Sequence, residues 1–195
     1  MNKEFEFYFD FISPYTYLAY KKISMMNKNN IEVIYKPILL GGLHKILNIT
    51  APAFTKSKSK YLKYDCEMIA KKSKIDFIFN EKFPINSLHL MRGFLIIEDI
   101  KKKEFLKNFF DAYWGQNIDI SNEKEVAKIL EKLEIDVNFF FKKIKDEKIK
   151  DQLKELTHQA FTKEIFGAPT FRINNKIFWG QDRLEYALDE YYKVK

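Results

Sequence analysis

Cysteine is nearly absent from this sequence: Cys66 is the single thiol in 195 residues. That excludes an intrachain disulfide, a Cys-x-x-Cys redox pair and a zinc site built on several thiolates. Glycine and proline are sparse, at six and five residues, and no internal repeat, low-complexity segment or flexible linker interrupts the chain. The three histidines, His44, His89 and His158, lack the spacing of a metal pair, so structural or surface roles are expected for them. No apolar run is long enough to span a bilayer. The charged start Met1-Asn2-Lys3-Glu4 leads straight into alternating sequence, so no secretory leader is expected. With one thiol and no leader, the expected compartment is the reducing cytoplasm.

What the chain does have is aromatic mass. Nineteen Phe and eleven Tyr in a composition that is 46% hydrophobic predict one globular domain with a core built on rings. The formal charge is +7, but most lysines alternate with Glu, Asp or Asn along helical stretches. That pattern reads as a solvated lysine-rich surface, with no nucleic-acid or membrane partner expected. Charge of this sign also helps gather small anionic substrates.

Phe5, Phe7, Phe9 and Phe11 alternate with Glu4, Glu6, Tyr8 and Asp10, a period of two that predicts a strand over residues 4–11. Ser13-Pro14 follows at once; Ser is a preferred N-cap and Pro suits the first helical position. Tyr15, Leu18, Ala19, Ile23 and Met26 recur at helical spacing, Asn27–Asn30 break the helix, and a second strand runs from Ile31 to Tyr35. Residues 38–165 are helical in pattern, with stripes at Phe105/Phe109/Trp114, at Val126/Leu130/Leu133 after a cap at Ser121 or Asn122, and at Ile149/Leu153/Leu156/Ala160. Leu88–Ile97 reads as a buried helix in which Arg92 needs a countercharge. Gly167-Ala168-Pro169 then ends the helical block. Thr170–Ile173 and Lys176–Trp179 are short strands joined by Asn174-Asn175, and asparagine tolerates the positive φ of a two-residue turn. Gly180-Gln181-Asp182 opens a final helix carrying Leu184, Leu188 and Tyr191.

A βαβ unit and a ββα unit around a helical block predict an α/β chain with a thioredoxin-like core. Residues 1–37 and 166–195 would form that core and residues 38–165 a large helical insertion. In this fold the reactive group sits at the first helix's N-terminus, where backbone N–H groups and the helix dipole favour negative charge. That place is held here by Ser13-Pro14-Tyr15-Thr16, and Ala168-Pro169-Thr170 precedes the third strand. On the residues alone, Ser13 reads first as a helix cap and Pro169 as an ordinary trans proline, while Asp182 reads equally as a cap.

The segment Phe-Tyr-Phe-Asp-Phe-Ile-Ser-Pro-Tyr-Thr-Tyr-Leu at 7–18 resembles the opening of 2-hydroxychromene-2-carboxylate isomerases and kappa-class glutathione transferases. The likeness continues through Leu39-Leu40-Gly41-Gly42-Leu43, Asn48, Ala112-Tyr113-Trp114 and Asp119-Ile120. Its most specific part is Phe166-Gly167-Ala168-Pro169-Thr170-Phe171 with Phe178-Trp179-Gly180-Gln181-Asp182-Arg183-Leu184. The resemblance implies a DsbA-like fold, glutathione as cofactor, a small aromatic or conjugated carboxylate as substrate, and a homodimer. It implies that Ser13 donates to the glutathione sulfur without itself attacking, and that Pro169 is cis so that the Ala168 backbone faces the peptide backbone of glutathione. It assigns Gln181 and Asp182 to the γ-glutamyl end, and adds Tyr15, Asn48 and Lys58, the last toward the glycine carboxylate. Lys58 lies in the run Lys56-Ser57-Lys58-Ser59-Lys60, where a solvated lysine is the plain alternative. Three other outcomes stay open: a kappa-like transferase, a disulfide oxidoreductase disfavoured by the missing Cys-x-x-Cys, and a non-catalytic glutathione- or peptide-binding module.

Overall fold

Alternation in the opening segment produces the central strand. The computed structural model describes residues 4–26 and 31–193; the expected helix break at Asn27–Asn30 lies outside the described residues. Strand β1 (Phe5–Phe9) is followed by α1 (Pro14–Met26) and β2 (Val33–Pro37). Helices α2 (Leu40–Ile46), α3 (Lys56–Ser73), α4 (Leu88–Ile96), α5 (Asp99–Phe110), α6 (Glu123–Lys132), α7 (Val137–Lys143) and α8 (Glu147–Thr162) come next. Strands β3 (Thr170–Ile173) and β4 (Lys176–Trp179) and helix α9 (Leu184–Lys193) close the chain. The sheet order is β2-β1-β3-β4, with β1 and β2 parallel and the other neighbours antiparallel. Parallel strands cannot be joined by a tight hairpin, which is why α1 intervenes between β1 and β2. The β3–β4 turn is the expected asparagine pair, with φ of 50° at Asn174 and 66° at Asn175.

Phe5, Phe7, Phe9 and Phe11 bury one face of the sheet into an aromatic core, Phe9 against Phe94 (ring centroids 5.0 Å) and Phe11 against Phe110 (4.7 Å). Glu6, Tyr8 and Asp10 of the alternation are buried as well, and only Glu4 is exposed: Tyr8 packs with Ile38 and Leu43 beside α2 and with Ala160 and Ile165 around the end of α8. Both faces of β1 are therefore covered. The strand ends at Phe9, two residues before the end of the alternation. The Asp10 carboxylate accepts from Ile12 N at 3.2 Å and turns the chain toward α1. Trp114 in the π-type turn Asp111–Gly115 clamps the same corner, its indole N–H donating to Phe11 O at 2.8 Å. The third helical stripe also shifts: α8 buries Leu153, Thr157 and Ala160, and the Thr157 hydroxyl accepts from Leu39 N at 3.0 Å. Asn122 caps α6, accepting from Lys124 N.

Burying Glu6 requires compensation, and three cations supply it. Arg172 Nη1 lies 3.0 Å from its carboxylate, Lys36 Nζ 3.5 Å and Lys163 Nζ 3.8 Å, and the Tyr8 hydroxyl donates at 3.0 Å. Burial alone would raise the Glu6 pKa; Arg172, Lys163, Tyr8 and Lys36 together reverse that and hold it below its ordinary 4.5. A carboxyl with a lowered folded pKa contributes stability that is present above its unfolded value and lost as pH falls through the folded one. Glu6→Gln is therefore expected to cost about 2 kcal/mol at neutral pH, the size of a charge-assisted hydrogen bond. The variant should also flatten the fall of wild-type stability below pH 4.5. Urea unfolding across pH checks both, and parallel pH profiles for the two proteins would refute the assignment.

Candidate functional site

Ser13 occupies the N-cap of α1 and is 5% exposed. Its backbone N–H donates to Asp10 O at 3.2 Å, and its carbonyl accepts from Tyr17 N at 3.2 Å. Its Oγ accepts from Thr16 N at 3.2 Å, which is the capping bond. The same hydroxyl donates to Ala168 O at 3.0 Å, across 155 residues of sequence. Capping explains the first bond and not the second. The Ala168–Pro169 peptide is cis, as the resemblance implies. No acidic side chain lies in the first turn of α1, whose N–H groups form the positive end of the helix dipole.

Tyr15 and Lys58 meet at a cavity of about 350 Å³, completed by Pro52, Ser57, Tyr61 and Leu62. The Tyr15 hydroxyl donates to Asp65 Oδ2 at 2.7 Å, and burial first and Asp65 second push its pKa well up. Lys58 is exposed in the first turn of α3 and makes no ion pair among the described residues. Asn48 does not line this cavity. With φ of 54° it takes the left-handed position that ends α2: its N–H donates to Lys45 O and Ile49 N to His44 O, a Schellman closure. Its side chain is left exposed for other work.

Gln181 and Asp182 lie in the short turn Gln181–Arg183 between β4 and α9. Gly180 N donates to Pro169 O at 3.0 Å and so holds this turn beside the cis proline. Gly180 has φ of +111°, a conformation that requires glycine, and a Cβ there would also push the Asp182 side chain, 2.6 Å away at Oδ1, out of its place. Asp182 is not a cap: its carboxylate accepts from Arg183 Nη2 at 2.8 Å and is half exposed. Gln181 Oε1 accepts from Lys22 Nζ. Trp179, half exposed, lies tilted against Phe166 (ring centroids 5.0 Å) and covers Gly167, where a Cβ would lie 2.6 Å from its Nε1.

Two further residues belong to this region and were not singled out from the sequence. Asp10, fully buried, accepts from Ser87 Oγ at 2.6 Å, Leu40 N at 2.8 Å and Ile12 N. Burial raises its pKa, and those hydrogen bonds oppose the rise. Its place in an alternating strand made it look like any polar residue. Ser87, which stands before α4, carried no sequence signal.

The remaining candidates stay outside the site. His89 Nε2 lies 2.7 Å from Ile120 O, and burial lowers its pKa. Burial lowers the His44 pKa too, and His158 is exposed on α8. No cluster of three or more His, Cys, Asp or Glu placed to hold a metal occurs among the described residues. Arg92 lacks the countercharge expected for it: its buried Nε has no partner, and it makes no ion pair among the described residues. Part of its side chain reaches solvent, which relieves that need. Cys66 is buried, and burial raises its pKa far above the ordinary thiol range, the inert thiol expected.

A helix N-terminus facing a cis proline over a four-stranded mixed sheet defines a thioredoxin-class protein, here with the Ser13 hydroxyl at that helix N-terminus. The chain belongs to the family of the DSBA-like thioredoxin domain, whose model matches residues 4–192. It is 29% identical to 2-hydroxychromene-2-carboxylate isomerase of Pseudomonas putida, over 92% of this chain and 89% of the relative. It is 26% identical to human glutathione S-transferase kappa 1, over 92% of this chain and 87% of the relative. Among solved structures, 2-hydroxychromene-2-carboxylate isomerase superposes with a TM-score of 0.87 at 28% identity, covering 95% of this chain and 92% of that one. Among the described residues no helix is long and apolar enough to cross a membrane.

Proposed function

We propose that this chain is a glutathione-dependent isomerase of the 2-hydroxychromene-2-carboxylate isomerase type, acting on a small aromatic or conjugated carboxylate. The observation that carries the reading is the Ser13 hydroxyl, set at the N-terminus of α1 and aimed at Ala168 beside cis-Pro169, with no cysteine at hand. Bound glutathione would supply a thiolate that adds reversibly to a conjugated carbon and leaves after the bond has rotated, so that no atom is gained or lost.

The residues present fit that group. Ser13 Oγ and the first-turn N–H groups of α1 offer donors to a sulfur anion, and that first turn carries no acidic side chain of its own. A free thiol has a pKa of about 8.5, and lowering it by two units needs about 2.7 kcal/mol of preference for the thiolate. In this structure the hydroxyl hydrogen is engaged by Ala168 O, so Ser13 turns that hydrogen from the carbonyl to the sulfur as the cofactor binds. Lys58 lines the same cavity as Tyr15, Tyr61 and Leu62 and serves the glycine carboxylate of glutathione. Gln181 and Asp182 serve the γ-glutamyl end, and Asn48 and the Ala168 backbone complete the contacts. The reading carries with it a cytoplasmic homodimer. The exposed Phe54, Tyr61, Tyr64 and Met68 support an interface on that side, and light scattering on the purified chain tests the dimer.

The test is calorimetry with glutathione followed by product analysis with a hydroxychromene carboxylate. Isomerisation with glutathione recovered unchanged supports the reading. Net glutathione consumption replaces it with a kappa-like transferase, and binding without turnover replaces it with a binding module. Asp182→Ala should raise the KM for glutathione about fivefold with kcat nearly unchanged, the size of an exposed charge pair of ~1 kcal/mol. An unchanged KM would remove Asp182 from the site.

A further inference from the structure

Lys22 is a half-buried cation without an acid. It lies on α1, and its Nζ donates to the neutral amide oxygen of Gln181, whereas its neighbour Lys21 pairs with Asp111 at 3.0 Å. No carboxylate lies within ion-pair distance of Lys22 among the described residues. Burial lowers its pKa, Asp182 and Glu185 push it back up, and Lys72 adds to the lowering. A lysine withdrawn from water and bonded only to an amide is under-compensated, and its position is suited to an anion that arrives from outside.

That position is next to the turn assigned to the γ-glutamyl end. This end of glutathione is an amino-acid terminus, with one ammonium and one carboxylate on the same carbon. Asp182 matches the ammonium; among the residues assigned so far only the neutral Gln181 amide could meet the carboxylate, and none of them is a cation there. We infer that Lys22 receives the α-carboxylate of the γ-glutamyl residue, so that Lys22 and Asp182 together read a zwitterion. The inference rests on the glutathione reading above.

The reach is suitable. Lys22 follows Ser13 by nine residues. At the α-helical rise that is about 13 Å along α1, and the side chain leans back toward the helix N-terminus. Glutathione carries its sulfur on the central residue, so the span to the α-carboxylate is the γ-glutamyl arm alone, about 3.5 Å for one extended residue, lengthened by the cysteine side chain and by the two methylenes of the γ-linkage. Gln181 holds the ammonium group of Lys22 at the turn, so the ligand carboxylate needs to displace only a neutral partner.

The test is calorimetric titration of wild type, Lys22→Met, Lys22→Gln and Lys22→Arg. One ligand is glutathione; the other is its 4-aminobutyryl analogue, which keeps the amine and lacks the α-carboxylate. Methionine keeps the apolar stem of lysine, and glutamine gives a second neutral variant if methionine folds poorly. Loss of one charge-assisted contact should weaken glutathione binding about tenfold in the neutral variants. Lys22→Arg should retain most of the affinity, and the analogue should bind wild type and neutral variants alike. Equal loss for both ligands would mean a structural role and overturn the inference alone. Undiminished glutathione binding by the neutral variants would do the same. Absence of glutathione binding by wild type would overturn the parent reading with it.

Discussion

Ser13→Ala is expected to lower glutathione-dependent turnover about a hundredfold or more while leaving a folded protein, the cost typical of removing one preorganised donor to an anion. The hydroxyl makes two bonds that vanish in the variant, the cap to Thr16 N and the donor bond to Ala168 O. The first is worth about 1 kcal/mol and the second about the same, against a usual total stability of about 5–15 kcal/mol. Folding therefore survives and the chemistry does not. The helix N-terminus remains in the variant, so the bound thiol should keep part of its lowered pKa and lose the part owed to the hydroxyl. The ultraviolet absorbance of the bound thiolate against pH measures that share. Its midpoint should move up toward the free-thiol value of about 8.5, and the rate should follow to higher pH. Wild-type turnover in a folded Ser13→Ala would leave the site without its donor and sink the role given to Ser13.

Local chemistry was legible in the sequence where one residue decides one conformation. Ser13-Pro14 starts α1, Asn174-Asn175 turns β3 into β4, and Asn122 caps α6. The thioredoxin-like order followed from those signals, and the terminal motifs pointed to the candidate site. What stayed hidden depends on partners far away in the chain. Glu6 and Tyr8 looked like a polar strand face, yet residues around α2 and α8 cover them. Nothing near residue 156 says that Thr157 lies inward; Leu39, 118 residues away, makes it so. Asn48 was read for its side chain, while its backbone ends a helix. Lys22 was one lysine among many until the fold set it against Gln181, across 159 residues. Phe83–Pro84 is cis as well, and nothing in the sequence pointed to it.

Asp10→Ala should be the most destabilising single change near the site, by about 3 kcal/mol or more. It strands two backbone N–H groups and one hydroxyl, and each buried unsatisfied group costs about 1–3 kcal/mol. The carboxylate ties the turn at Ile12 to the start of α2 at Leu40 and to Ser87 before α4, so three segments lose a common anchor at once. Ser13 N bonds to the carbonyl of this same residue, and the site should loosen with it. Asp10→Asn keeps the volume and one acceptor and should cost less. The pair also yields a pH test. Burial raises the folded pKa of Asp10 above its ordinary 3.8. A raised carboxyl contributes stability that is full below its unfolded value and lost as pH rises through the folded one. Asparagine does not titrate, so the stability gap between wild type and Asp10→Asn should narrow as pH rises through that window. Glu6 titrates in both proteins and cancels from the difference. Urea unfolding of the two at matched pH reads the gap directly. A gap that widens with pH would mean that the hydrogen bonds from Ser87, Leu40 and Ile12 outweigh burial and hold the Asp10 pKa below its ordinary 3.8.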